Sequence, residues 1–294
     1  MAEFSEALFS IFFIEALING VLLGGVLALL SLGLNLIFGV VDVVWICYAE
    51  IIMIGMYTIF FVYKAGAPLF VAVLCGIAVT AILGWLTHRL VISYILDAAP
   101  INQLLATGGL LFFFQGAAMV AFGIEFRNLG ISLGSISLSE DIFLSWTRLI
   151  SFAVAAIVVV IMYVFLSRSY LGAAIRAISQ DREIMTLMGV DTGRLYLLTS
   201  TIGGGLAGLA GALLVLQYDV HPFIGLSFGP ITFMICVMGG LGNMVGGFLA
   251  AFVFSELITI GGYFAELEWG YVLAFAFFVA TMFARPEGLF ARRS

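Results

Sequence analysis

The stretch LFSIFFIEALINGVLLGGVLALLSLGLNLIFGVV, from Leu8 to Val41, decides the fold class. It carries Glu15, Asn19 and Asn35 among side chains that are almost all apolar or small. One crossing of a bilayer core takes about 20 apolar residues of helix. This run is too long for a single crossing, so it reads as a full span followed by a broken or re-entrant piece. Runs of the same character follow at Ile51–Val62, Pro68–Leu86, Gln103–Gly123, Trp146–Leu166, Leu195–Leu216, Phe228–Gly262 and Tyr271–Ala284. Phe228–Gly262 is again too long and is interrupted by Gly239-Gly240-Leu241-Gly242-Asn243, so it is expected to cross twice. The sequence therefore predicts an all-α, polytopic integral membrane helix bundle of about 8–10 transmembrane segments, some broken or re-entrant.

Composition agrees with this reading. Of 294 residues, 64% are hydrophobic and only 10% charged, whereas a soluble domain carries about 25% charged residues. A water-soluble fold is excluded. The net charge of −6 argues against nucleic-acid binding. Cys47, Cys75 and Cys236 lie far apart in apolar runs, the pattern of packing thiols rather than a metal site. The acidic start, Met1 to Glu6, lacks the basic region of a secretory signal, so the first run is expected to be retained. With no soluble segment or linker, residues 1–294 read as a single membrane domain.

Scarce charge makes sidedness legible. Arginines gather at 168, 176, 182 and 194, at 285, 292 and 293, and at Arg89. The positive-inside rule places all three regions in the cytoplasm. Glu125–Ser145, with more acids than arginines, is expected outside. Two basic regions on one side require an even number of crossings between Arg194 and Arg285, and the acidic N-terminus favours starting outside.

Glycine supplies 34 residues, many at four-residue spacing: Gly20/Gly24, Gly204/Gly208, Gly242/Gly246. Such stripes let helix backbones approach closely in lipid, or line a path that opens and closes. Gly203-Gly204-Gly205-Leu206-Ala207-Gly208 also satisfies the dinucleotide pattern G-x-G-x-x-G, but it lies in a membrane-length apolar run with no preceding strand.

The loop from Ser167 to Arg194 is different in kind. Leu171, Ile175 and Ile178 share one helical face, from which Arg176 points away. Ser179-Gln180-Asp181 then suits the cap of a new helix. Ile184, Leu187 and Met188 make a second short face, and Gly189 stands where a helix commonly ends. Two short amphipathic helices at the cytoplasmic surface are expected, resting on headgroups or docking a soluble partner.

Gly172-Ala173-Ala174-Ile175-Arg176-Ala177, Asp181, and Leu187-Met188-Gly189-Val190 resemble the cytoplasmic loop of branched-chain amino-acid ABC-transporter permeases of the LivH type. Asn19-Gly20-Val21-Leu22-Leu23-Gly24, Ala207-Gly208-Leu209-Ala210-Gly211 and Val237-Met238-Gly239-Gly240-Leu241-Gly242-Asn243 are similar to further family signatures, in order along nearly the whole chain. The resemblance implies a coupling role for Gly172, Ala173, Arg176, Asp181, Arg182, Leu187 and Gly189 against an ATPase subunit. It also implies a second homologous permease, two cytoplasmic ATPase subunits that bind ATP and magnesium, a periplasmic or extracellular substrate-binding protein, and a bacterial inner-membrane location. One departure stands out. Trp45-Ile46-Cys47-Tyr48-Ala49-Glu50 replaces the family's Asn-Phe-Ala-His-Gly-Glu and keeps the final acid. The substrate is therefore left open among branched-chain or hydrophobic amino acids, urea and short amides.

The chain has no energy source of its own. A P-loop needs Gly-Lys before Ser or Thr, and the sole lysine, Lys64, sits in Tyr63-Lys64-Ala65. No catalytic residues, cofactor or metal ligands are assigned: His88 and His221 are far apart and no Gly-x-Ser-x-Gly occurs. The alternative function is a stand-alone ion-coupled carrier or channel, for which Glu15 and Glu256 are the intramembrane acids. Candidate pathway groups are Asn19, Asn35, Glu50, Gln103, Thr107, Gln115, Thr232 and Asn243, although interhelical hydrogen bonding is the commoner task of such residues.

Overall fold

Ile11 to Val41 forms one continuous helix, α1, in a computed structural model that describes residues 11–131, 134–137 and 143–290. The acidic start and the arginines at 292 and 293 lie outside the described residues. The expected break inside the first run is corrected: α1 is unbroken over 31 residues. No proline interrupts it, and its glycines sit where neighbouring helices approach. The break comes later, at Asp42, which takes a left-handed φ of 56°, a conformation that Asp tolerates better than most side chains.

The chain then runs without helix to α2 (Tyr48–Lys64). Next come α3 (Leu69–Thr87), extended by a π-helical turn at His88–Ile92, and α4 (Pro100–Phe122) with proline in its first turn. A two-stranded antiparallel hairpin, β1 (Ser135–Ser137) with β2 (Phe143–Ser145), precedes α5 (Trp146–Arg168). The apolar-run reading did not anticipate this hairpin, because it lies in a polar segment between apolar runs. Two short helices, α6 (Tyr170–Ile178) and α7 (Arg182–Leu187), lead into α8 (Thr192–Leu214). The long run after it divides into α9 (Ile224–Gly239) and α10 (Met244–Phe264), and α11 (Leu267–Ala284) follows. Among the described residues, six helices are long and apolar enough to cross a membrane, and α9 and α11 are shorter apolar ones. The chain is an all-α polytopic membrane bundle.

Contacts between loops sort the helix ends into two groups. Arg127 and Val220 exchange backbone hydrogen bonds of 3.0 and 2.8 Å, joining the segment after α4 to the one after α8. Asn19 near the start of α1 accepts from Arg148 at the start of α5. At the opposite end, His88 meets Ser200, Arg182 meets Tyr196, and the Leu289 amide donates to the Met238 carbonyl. The helices α8 to α11 thus bring the chain back to the side it left, as the two arginine-rich regions require.

Small residues set how closely the helices pack. A β-carbon on Gly204 of α8 would lie 2.5 Å from the Thr80 carbonyl oxygen of α3, and one on Gly84 would lie 2.5 Å from the Ser200 carbonyl. On α1, Gly20 abuts Glu256 and Thr259 of α10, and Gly24 abuts Ser255 and Phe252. Backbone contact of this kind gives dispersion energy where lipid offers no hydrophobic drive. The G-x-G-x-x-G segment belongs to this surface as part of α8.

Replacing Gly204 with leucine should separate α3 from α8 and cost about 1–3 kcal/mol or more, read as a lower melting temperature in detergent. Gly108→Leu, at a position where a β-carbon meets nothing within 4 Å, should leave the melting temperature close to wild type.

Candidate functional site

Two helices begin inside the bundle rather than at its surface. Tyr48, the first residue of α2, places its hydroxyl 3.4 Å from the carbonyl of Gly203, which lies midway along α8. Glu50, in the first turn of α2, lies against Gly225, in the first turn of α9. The starts of α2 and α9 therefore meet in the interior, with α2 running toward one side and α9 toward the other. Each is preceded by a non-helical segment, 42–47 and 215–223. Helices whose first turns converge at depth bring their positive ends together, and here the amides of Tyr48, Glu50, Ile224 and Leu226 each donate to the carbonyl three residues before them.

A cavity of about 250 Å³ lies at this junction. Trp45 and Tyr48, Leu104 and Leu111 of α4, and Gly225 and Thr232 of α9 line it, and Leu34 of α1 reaches it. Its rim carries the exposed side chains of Ile46, Leu226 and Phe233. The walls are almost wholly apolar. Pro230 stands inside α9 and cannot donate to the Leu226 carbonyl one turn back, so backbone polarity is freed beside an apolar space. Polar groups close by are few: the Thr232 hydroxyl, which donates to Phe228 at 2.7 Å, and Glu50 behind Gly225. Glu50 is fully buried, and neither carboxylate oxygen has a hydrogen-bond partner. Such a site suits a small solute with an apolar body and a polar head.

The other sequence candidates are distributed more widely. Thr107 donates to the Val44 carbonyl at 2.9 Å and ties α4 to the inward segment that lines the cavity. Asn35 is buried against Gly247 of α10, its amide atoms without partners. Gln115 is buried in α4 with its Nε2 unpartnered. Asn19 accepts from Arg148 at 2.6 Å toward the end of α1. Gln103 donates to the carbonyls of Ile95, Leu96 and Ala98, closing the end of the preceding helix. Asn243 caps α10 through the Gly246 amide and donates to the Phe290 carbonyl. Of these residues, Glu50, Thr107 and Thr232 adjoin the cavity or its walls. Sequence reading missed Leu34, Leu104, Leu111 and Gly225, whose apolar character is indistinguishable from lipid-facing residues. Pro230 was the available signal, since proline inside an apolar run marks a broken helix.

The Ser167–Arg194 loop folds as two short helices. Ser169 caps α6 by accepting from the Gly172 amide at 2.9 Å, and Asp181 caps α7 through the Ile184 amide at 2.9 Å. Gly189, at φ 80°, ends α7, and the Val190 amide reaches back to the Met185 carbonyl at 3.2 Å. Gly172 is needed because a β-carbon there would lie 2.5 Å from backbone atoms of Phe165 and Leu166. Ala173 is exposed, one turn from the Ser169 cap. Ile175 and Ile178 are buried, whereas Leu171 is 42% exposed, a correction to the expected face: α6 buries a narrower stripe. The Arg176 guanidinium bonds the Leu166 carbonyl, capping α5. Arg182 donates to the Tyr196 hydroxyl at 2.9 Å and lies over its ring, pinning α7 to α8. Tyr170, Ile184, Leu187 and Met188 stay exposed, at 89, 53, 87 and 75%. The loop therefore exposes these apolar side chains among polar ones such as Gln180, Asp181 and Thr186, and these two arginines are engaged within the chain.

Comparison with known proteins gives a consistent picture. The family described as "Branched-chain amino acid transport system / permease component" matches residues 16–282. The BraD permease protein of a high-affinity branched-chain amino acid transport system in Pseudomonas aeruginosa is 27% identical, over 95% of this chain and 96% of that one. The corresponding LivH protein of Escherichia coli is 25% identical over 96% of each chain. An autoinducer 2 import system permease protein, LsrC of an Enterobacter species, is 29% identical over 69% of this chain and 59% of that one. In fold, the chain resembles the solved structure of PsaBC from Streptococcus pneumoniae in complex with Fab. The TM-score is 0.52 at 15% identity, covering 97% of this chain and 96% of that chain.

If Arg182 pins α7 as its contacts indicate, Arg182→Ala should speed chymotryptic cleavage at the α6–α7 loop several-fold in limited proteolysis. Arg194→Ala should not, because Arg194 makes only an exposed local pair with Asp191.

Proposed function

Because this chain belongs to the family of branched-chain amino acid transport permease components, we propose that it forms one half of the membrane core of a binding-protein-dependent ABC importer. The observation that carries the reading is the α6–α7 loop. It is built as a rigid, capped pair of helices and presents Tyr170, Leu187 and Met188 to the aqueous side. A chain without a nucleotide motif needs its energy from elsewhere, and an ordered apolar surface among arginines suits a soluble ATPase. Two such ATPases, holding ATP and magnesium, would drive this loop and through it α5 and α8. The contacts of Gly172 with Leu166, and of Arg182 with Tyr196, connect the loop to those helices. The coupling residues Gly172, Ala173, Asp181 and Gly189 then shape the loop, while Leu187 meets the partner.

The proposed route passes the junction of α2 and α9. Its apolar walls favour branched-chain or other hydrophobic amino acids over urea or a sugar. The names of the BraD and LivH relatives point the same way. A second, homologous permease is proposed to close the route against the exposed rim of Ile46, Leu226 and Phe233. A periplasmic or extracellular binding protein would supply the solute, and the complex is proposed to reside in a bacterial inner membrane. The whole chain acts as one membrane domain in this scheme. Movement of the loop would open the route to alternate sides.

Leu187→Asp and Met188→Asp should each abolish co-purification with the ATPase subunits while membrane insertion and melting temperature stay at wild-type values. Undiminished co-purification of the double variant would overturn the docking assignment.

A further inference from the structure

Among the described residues, one π-helical turn occurs, His88–Ile92 at the end of α3. Single π turns are rare in α-helices and frequently stand at functional sites. This one sits at a junction. His88, only 2% exposed, places its Nδ1 2.9 Å from the Ser200 hydroxyl of α8. One turn earlier on α8, the Tyr196 ring lies 6.5 Å from the His88 ring and 5.4 Å from the Arg182 guanidinium, whose Nε donates to the tyrosine hydroxyl. The Ser167–Arg194 loop therefore reaches the π turn through a single tyrosine. Before the turn, the close approaches at Gly84 and Gly204 lock α3 against α8. Beyond it, Gln103 of α4 donates to the carbonyls of Ile95, Leu96 and Ala98 at 3.2, 3.1 and 3.2 Å. The same helix carries Leu104 and Leu111 of the cavity wall, and Thr107, which bonds the Val44 carbonyl.

We propose that the π turn is the hinge through which the loop moves α4, and that His88 is the positioning residue that ties this hinge to α8. Backbone contact leaves α3 and α8 no freedom to part, so α3 is fixed up to the turn. After the turn, α4 is fastened to it by side-chain hydrogen bonds alone. A change between π and α pairing shifts the residues that follow by about 1.5 Å, one residue's rise. Displacement of α7 acts on Tyr196 through Arg182, and the Ser200–His88 bond carries it to the turn. The three bonds from Gln103 then pass the shift at Ile95–Ala98 to α4, which moves Leu104 and Leu111 against the cavity. This rests on the transport reading above, and it adds the path by which the loop acts on the cavity.

The test uses the full complex with its partner permease, ATPases and binding protein. Hydrogen exchange of peptides spanning residues 88–103, read by mass spectrometry, needs no cargo. A non-hydrolysable ATP analogue should change their exchange rate in wild type by about threefold or more. The response should be lost in His88→Ala and in Ser200→Ala, and kept in His88→Asn, whose side-chain amide can still meet the Ser200 hydroxyl. In proteoliposomes with L-leucine as the transport probe, both alanine variants should lower uptake per ATP hydrolysed by about threefold or more, and H88N should recover most of it. A histidine that only packs would lower the melting temperature of H88A yet leave the S200A response at the wild-type value. That result overturns the inference and leaves the transport reading standing, as does wild-type exchange at 88–103 that ignores the nucleotide. If H88A does not assemble, S200A, which keeps the histidine in place, decides by the same two readouts. A chain that assembles with no ATPase overturns the transport reading and this inference together.

Discussion

Within hydrocarbon every backbone amide and carbonyl must find a partner inside the protein, and the arrangement of this chain follows from that constraint. Two stretches, 42–47 and 215–223, leave the helical pattern. They are tolerated because their backbone groups find partners within the chain. The Val44 carbonyl accepts from Thr107, the Trp45 carbonyl accepts from the Tyr48 amide, and Val220 pairs with Arg127. Long helices α1 and α8 pack around these stretches, so α2 and α9 can begin at depth. The cavity exists because two helices start where others would be continuous.

Close packing supplies the rest of the scaffold. Apolar side chains gain little by leaving lipid for protein, so adhesion comes from fitting backbones together. The α3–α8 contact at Gly84 and Gly204, and the α1–α10 contact at Gly20 and Gly24, leave no room for a methyl group. At the turn between α9 and α10, Gly39 meets Gly242 so closely that a β-carbon on the first would lie 2.8 Å from the α-carbon of the second. These contacts hold α1 and α8 as a rigid frame. Against that frame, the cavity-lining helices α4 and α9 meet fewer obligatory backbone contacts.

The Ser167–Arg194 loop divides labour between charge and apolar surface in an unexpected way. Arg176 and Arg182 look free in one dimension, yet each spends its guanidinium on a neighbouring carbonyl or tyrosine. Exposed Leu187 and Met188 look like a lipid-facing stripe, yet they cap a well-formed helix pair on the side away from the bundle. Internal bonds of the arginines tie the loop to α5 and α8, as the proposed coupling role requires.

The sequence by itself determined the class of protein, the order of its apolar segments, the two-helix loop with its caps at Asp181 and Gly189, and the division at Gly239–Asn243. These features are local: hydropathy over a span, a capping side chain, a glycine where φ is positive. Tertiary structure alone decided that α1 is unbroken and that α2 and α9 start inside. It also decided that Gln103 and Asn243 serve as helix caps while Glu50 lies buried between the first turns of α2 and α9. A polar residue in an apolar run has the same neighbours in sequence whether it closes a helix end or faces a solute. Only packing sets the depth and direction of its side chain, and with them the chemistry it can perform.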